Sequence, residues 1–436
     1  MLRIHKKGLF LFMLTLLLLL IGCQDTKKED KIRNDIAGRW TGAIQVPNQP
    51  LEIEVTFSED NEWNGAITIP IQGVEDYPFK KVDVSQGDIT FTMEMNGQLL
   101  TFEGEIKDAE MKGSFTQQGQ TFPFELKKGK QTSEKEVEEE GQFLSIETDY
   151  GTLYGELAIP KNDGPFPVVL IIPGSGPTDR NGNSLGITNN SLKMVAEELA
   201  ENGVASLRYD KRGAGKNQLT NIKEEDLDFN QFVEDATLWV RALKEDERFT
   251  DVGIIGHSQG SLEGMLAAQK ADVDLYISIA GAGRTIDHIL HDQLKDQLPP
   301  ALLKESDEIM QKLKEGEQVT KVSPELDSLF RTSAQPFLTS WMSYDPTKEI
   351  RKLKMPVMII NGTHDVQVNV HEAERLNEAK SDAKLLLVDK MNHILKEAPD
   401  NYEENIATYS NPDLPLADGL MNGIITFLKE NHFIGS

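Results

Sequence analysis

A serine, an aspartate and a histidine, the three residue types that together carry out acyl transfer, each follow an apolar run in this 436-residue chain. The serine is Ser258 in GIIGHSQGS, residues 253–261. At average glycine and serine usage, G-x-S-x-G arises by chance in roughly one chain of this length in seven, so the pentapeptide needs a context. It has one: the apolar run 252–256 reads as a strand, and SLEGMLAAQ has helical spacing. Strand, sharp turn and helix hold a serine hydroxyl up at the end of a sheet. Gly256 and Gly260 suit a turn with no room for side chains.

A serine hydroxyl is a weak nucleophile until a positioned base takes its proton, an effect typically worth about 10² to 10⁴ in rate. The partners are expected downstream, acid before histidine. PVMIING reads as a strand and exits into THD, which offers Asp365, while KLLLVD exits into KMNHIL, which offers His393. Singly, each is as easily a loop residue in a local turn; in the right order, each after an apolar run, they are expected to be the acid and the base. Acyl transfer also needs donors for an oxyanion. The backbone N–H of Gln259 is one expectation. The other lies in Pro173-Gly174-Ser175-Gly176-Pro177, after the strand PVVLII, with Ser175 preferred and Gly176 as the alternative.

The remaining histidines are weaker candidates. His257 is expected to point away from the hydroxyl, and His288 and His291 to lie on a surface helix. His364 and His371 sit in no carboxylate–histidine motif at helical spacing, and Cys23 is the only cysteine, so neither a metal nor a cofactor is expected.

The elements that must position these residues form two patterns. From residue 36 to 128, short alternating runs such as LEIEVTF, DITFTMEM and LTFEGEI are separated by turn signals, predicting a small all-β antiparallel barrel or sandwich. Residues 129–142, GKQTSEKEVEEEGQ, read as a charged linker. From 143 to 436, strands alternate with helices: PVVLII, SLKMVAEELAENG, VASLRYD, DFNQFVEDATLWVRAL and VGIIGH. Repeated βα units predict an open, doubly wound, mostly parallel sheet, with its site at the carboxyl ends of strands.

Beyond these residues the chain resembles an α/β-hydrolase, from about residue 143 to the end. PGSGP, YDKRGAGK, GHSQG, NGTHD and MNHIL carry the likeness. It is most similar to bacterial esterase-like enzymes grouped near dienelactone hydrolases and serine aminopeptidases. The resemblance implies Ser258 as nucleophile, Asp365 as acid and His393 as base. Two positions depart from it: Pro173 stands where many relatives have histidine, and Lys216 where serine is common. Residues 284–350 are too long for a simple βα connection and helical in pattern, which suggests a mobile cap. Phe330, Phe337, Trp341 and Tyr344 would either line an acyl or aromatic pocket or form the cap's own core.

At the other end, Arg3, Lys6 and Lys7 precede an apolar run closed by Leu20-Ile21-Gly22-Cys23. The run is short for a membrane span and fits a secretory signal over residues 1–22. Its end resembles the bacterial lipoprotein signal, implying lipid attachment at Cys23, a tether over 23–35 and an exported protein anchored to the outer face of a bacterial membrane. Without residues 1–22 the chain has 42 basic and 71 acidic residues, a formal −29. Such a surface excludes nucleic acid as a partner, and a membrane would have to hold the protein through its lipid.

The expected activity is therefore that of a serine hydrolase cleaving carboxylic esters of small molecules. Peptidase or amidase action on a short substrate is one alternative, and an envelope-binding lipoprotein without catalysis is another.

Overall fold

A computed structural model describes residues 36–45, 50–59, 62–69, 74–85, 87–95, 98–107, 109–117, 120–129, 142–184, 187–217 and 223–435. The expected signal segment, Cys23, the tether and nearly all of the linker lie outside the described residues. The chain divides into two units, residues 1–137 and 138–436.

The first unit is a single antiparallel sheet of nine strands: β1 (Gly38–Ile44), β2 (Leu51–Glu59), β3 (Trp63–Ile69), β4 (Val74–Pro78), β5 (Lys81–Ser85), β6 (Asp88–Met95), β7 (Gln98–Lys107), β8 (Glu110–Gln117) and β9 (Gln120–Lys128). Their order is β4-β3-β2-β1-β9-β8-β7-β6-β5. The two edge strands are consecutive in the chain and joined only by Phe79 and Lys80. The Phe79 N–H donates to Gly65 on β3 at 2.8 Å, and the Lys80 N–H donates to Thr92 on β6 at 2.7 Å. The chain at this bend thus bonds to the strands next to both edges, which curls the sheet toward a half-barrel. The inward rows expected from sequence meet inside: Ile53, Val55, Phe57, Phe91, Phe102 and Phe124 share one core. The Phe91 and Phe102 rings stack at 4.5 Å. Of the two expected forms, a single sheet curled at Phe79 and Lys80 is nearer the barrel than the sandwich.

The second unit holds an eight-stranded sheet. Its strands are β10 (Gln142–Thr148), β11 (Gly151–Ala158), β12 (Phe166–Ile172), β13 (Ala205–Tyr209), β14 (Phe249–His257), β15 (Leu275–Ile279), β16 (Val357–Gly362) and β17 (Lys384–Val388). The order is β10-β11-β13-β12-β14-β15-β16-β17. β10 and β11 form an antiparallel edge and every pairing from β13 onward is parallel. PVVLII is apolar throughout because both faces of β12 are covered. Val168, Leu170 and Ile172 join one core with Phe229, Trp239 and Met265. Val169 and Ile171 join the other with Leu192, Val195 and Ile424. The chain leaves β12 for β13 on one side and returns to β14 on the other. That reversal opens a crevice at the carboxyl ends of β12 and β14, with the PGSGP loop on one lip and Ser258 on the other.

Between β15 and β16 lies a helical insertion, including helices Ile286–Leu294, Pro300–Lys314 and Gln335–Met342. It has its own core of Ile289, Ile309, Met310, Leu313, Phe330 and Leu338. Three of the four aromatic residues divide between the two expected roles, and Tyr344 takes neither. Phe330 is fully buried in that core. Phe337 and Trp341 pack on Phe229, with Trp341 stacked on it at 5.6 Å, and both line a cavity that also reaches Ser258. Tyr344 packs on Phe229 as well, at 5.7 Å, but donates its hydroxyl to Asn230 and does not line that cavity.

Candidate active site

Ser258 directly follows β14 with φ 55° and ψ −120°, a conformation non-glycine residues seldom adopt. Its N–H donates to the Ile279 carbonyl on β15 at 2.9 Å, and helix Gln259–Ala271 begins at the next residue. The turn leaves no room for a side chain on either flank. A Cβ at Gly256 would lie 2.3 Å from the Gly260 carbonyl oxygen, and one at Gly260 would lie 2.4 Å from that of Ile172. The glycines are what let the helix start against the strand.

The three residues singled out from sequence come together here. The His393 Nε2 is 3.0 Å from the Ser258 Oγ, and its Nδ1 is 2.9 Å from Asp365 Oδ2. The other carboxylate oxygen of Asp365 accepts the N–H groups of Gln367 at 2.9 Å and Val368 at 2.8 Å. Those bonds fix the carboxylate plane with Oδ2 toward His393; a carboxylate oxygen there accepts, which puts the proton on Nδ1 and a lone pair on Nε2 facing the serine. Asp365 and His393 are both buried. The arrangement can take a proton from a serine hydroxyl and stabilise the imidazolium that results.

The His257 ring grips a neighbour of the nucleophile. Its Nε2 donates to the backbone carbonyl of His393 at 2.8 Å. Complete burial, reinforced by His393 nearby, pulls its pKa down to about 4, so the ring stays neutral. The backbone N–H groups of Ser175, Gly176 and Gln259 have no acceptor among the described residues.

Ser258, Gln259, Ser175 and Gly176 share a cavity of about 350 Å³. Leu262, Ile289, Leu290, Phe337, Trp341 and Val368 form much of its apolar wall. Two guanidinium groups border it, and both engage carboxylates. Arg284 pairs with Glu372 at 2.8 Å and Asp292 at 2.6 Å, and Arg331 pairs with Glu224. Among the described residues lining the cavity there is no aspartate or glutamate.

Sequence reasoning missed two ion pairs at the exit of β13. Lys211 is buried with Glu263 at 2.7 Å, and Arg212 is buried with Asp235 at 2.5 Å. The signal was the run DKRG itself, charges that directly follow a buried strand and so must find partners. Lys216 lies at the sheet edge, its ammonium over the Phe143 ring at 5.0 Å. His364, His371 and His291 bond to Ala398, Glu374 and Asp307. No group of three or more potential ligands is placed to hold a metal among the described residues.

The family model described as "Serine aminopeptidase, S33" matches residues 186–399. Esterase EstD of Thermotoga maritima is 30% identical over 250 residues, which is 56% of this chain and 58% of that protein. The match therefore spans little more than half of the relative's length. Among solved structures, Est1E from Butyrivibrio proteoclasticus is 21% identical, covering 67% of this chain and 99% of its own with a TM-score of 0.44. The Pyrococcus furiosus esterase Pf2001 is 16% identical, covering 67% and 92% with a TM-score of 0.43. The family match and the sequence relative, together with the strand order, support the α/β-hydrolase superfamily.

Proposed function

We propose that this protein is a serine carboxylesterase acting on small esters with an uncharged, largely apolar acyl group. The observation that carries the reading is the Asp365–His393–Ser258 chain, with contacts of 2.9 and 3.0 Å, at the edge of an apolar cavity without carboxylates. The Ser258 Oγ attacks the ester carbonyl as its proton passes to His393 Nε2, and Asp365 holds the imidazolium. The tetrahedral oxyanion is received by the Gln259 N–H and a second N–H from the PGSGP loop. On collapse, the C–O bond to the alcohol breaks and the alcohol takes the proton from Nε2. Water, deprotonated by the same nitrogen, then attacks the acyl-enzyme and releases the acid.

The helical insertion supplies much of the cavity's wall, which supports its role as a cap over the acyl group. Export and lipid attachment at Cys23 belong to the same proposal and rest on the amino-terminal sequence. Peptidase action on a free amino terminus is the second reading, favoured by the family match. It needs an anion for the substrate ammonium, and the described cavity lining provides none.

Rates on a matched p-nitrophenyl ester and p-nitroanilide of one acyl group, alongside an aminoacyl p-nitroanilide, test the choice. Ester turnover exceeding both anilides supports the proposal. Preference for the aminoacyl anilide would move the assignment to the peptidase.

A further inference from the structure

Lys211 and Glu263 are fully buried, yet neither lies in the chain of proton transfer. Lys211 follows β13, and its Nζ makes two bonds: 2.7 Å to Glu263 Oε1 and 2.9 Å to the backbone carbonyl of Gly174. The same Glu263 oxygen accepts the Gln259 side-chain amide at 2.5 Å. The ammonium therefore braces the PGSGP loop against the helix whose first residue, Gln259, follows the nucleophile.

The carbonyl it grips matters because a peptide unit is planar. In a trans unit the C=O and the next N–H point in opposite directions, and the only cis bond among the described residues is Gly164–Pro165. Drawing the Gly174 oxygen inward to Lys211 turns the Ser175 N–H outward, where Ser175 lines the cavity beside Ser258. The loop is close enough for this to matter: a Cβ at Gly174 would lie 3.4 Å from the Ser258 Cβ. The rest of the turn closes on itself, with Thr178 bonding the Ser175 carbonyl at 2.7 Å through Oγ1 and the Gly176 carbonyl at 2.8 Å through its N–H. A hydrogen bond from an ammonium to one end of a peptide unit also polarises the donor at its other end.

We propose that Lys211 is a positioning residue for the oxyanion: by anchoring the Gly174 carbonyl it selects the Ser175 N–H, rather than that of Gly176, as the second donor beside Gln259. This rests on the reading of Ser258 as the nucleophile.

Two variants test it. Lys211→Met with Glu263→Leu removes the brace and leaves no lone buried charge, a replacement that cores commonly tolerate. Ser175→Pro, at an exposed position, removes the N–H itself. Each is expected to lower kcat on a p-nitrophenyl ester by about 10² to 10³ while KM changes less than about threefold. Affinity for a trifluoromethyl ketone, whose serine adduct carries the oxyanion, should fall in proportion, and the pH profile should keep its shape. All three substitutions together should lose no more than either set alone, since both remove one donor. A folded Lys211→Met/Glu263→Leu protein with undiminished kcat would overturn the proposal, as would losses that multiply. If that protein does not fold, an undiminished kcat in Ser175→Pro overturns it alone. Ester turnover by the unsubstituted protein is the control, and its absence would remove the nucleophile reading and this one with it.

Discussion

Replacing Asp365 by asparagine leaves the shape of the site intact and removes one charge. The retained Oδ1 still accepts the N–H groups of Gln367 and Val368, which turns the new amide nitrogen toward His393 Nδ1. Two donors then face each other, and the imidazole relieves the conflict by moving its proton to Nε2. There it faces Ser258 as a donor and can no longer accept the hydroxyl proton. The imidazolium of the transition state also loses a carboxylate 2.9 Å away. At an effective dielectric of about 20 that attraction is worth about 6 kcal/mol, or roughly four decades in rate. Hydrolysis of p-nitrophenyl butyrate at pH 8 should show kcat lower by about 10⁴, with the thermal midpoint little changed. A fall of less than about tenfold in a folded protein would refute both the assignment of Asp365 and the tautomer argument.

Three further outcomes follow from other contacts. With the folded pKa of His257 near 4 and the unfolded value near 6.5, the unfolded chain binds a proton between those limits that the folded protein refuses. This contribution is fully present above pH 6.5 and lost toward pH 4, about 3 kcal/mol in all, so His257→Phe should flatten the acid limb of the urea midpoint between those pH values. An unchanged limb would count against the neutral buried ring. Asp235→Ala strands the buried Arg212 guanidinium and should cost about 3 to 5 kcal/mol in urea unfolding; a loss below 1 kcal/mol would contradict the pairing. Leu290→Trp narrows the acyl cavity, so kcat/KM for p-nitrophenyl octanoate should fall by about tenfold or more while the acetate is little affected. Equal losses on both esters would mean that Leu290 does not border the acyl site.

What was legible in sequence was whatever backbone pattern dictates. PVVLII announced a strand covered on both faces, and GHSQG between an apolar strand and a helix announced the turn that exposes Ser258. Asp365 and His393 were legible because each lies in the loop that leaves an apolar strand. What stayed hidden depended on contacts between distant segments. The grip of His257 on the His393 carbonyl joins residues 136 positions apart. The bond from Lys211 to Gly174 spans 37. The bend at Phe79 and Lys80 escaped because a bend that bonds to the strands next to both sheet edges leaves no periodic signature. Phe330 and Phe337 are alike in sequence and divide between core and cavity only through the packing of the insertion.

The central claim is that Ser258 is an acyl-accepting nucleophile. The direct measurement compares the chain from residue 24 onward with its Ser258→Ala variant, following hydrolysis of short p-nitrophenyl esters and covalent labelling by a fluorophosphonate. The account expects turnover and labelling in the parent, and loss of both in the variant by a factor approaching 10⁶ in rate, as in other triad knockouts. A folded parent that neither turns over esters nor takes the label, or a variant that still takes it, would contradict the account.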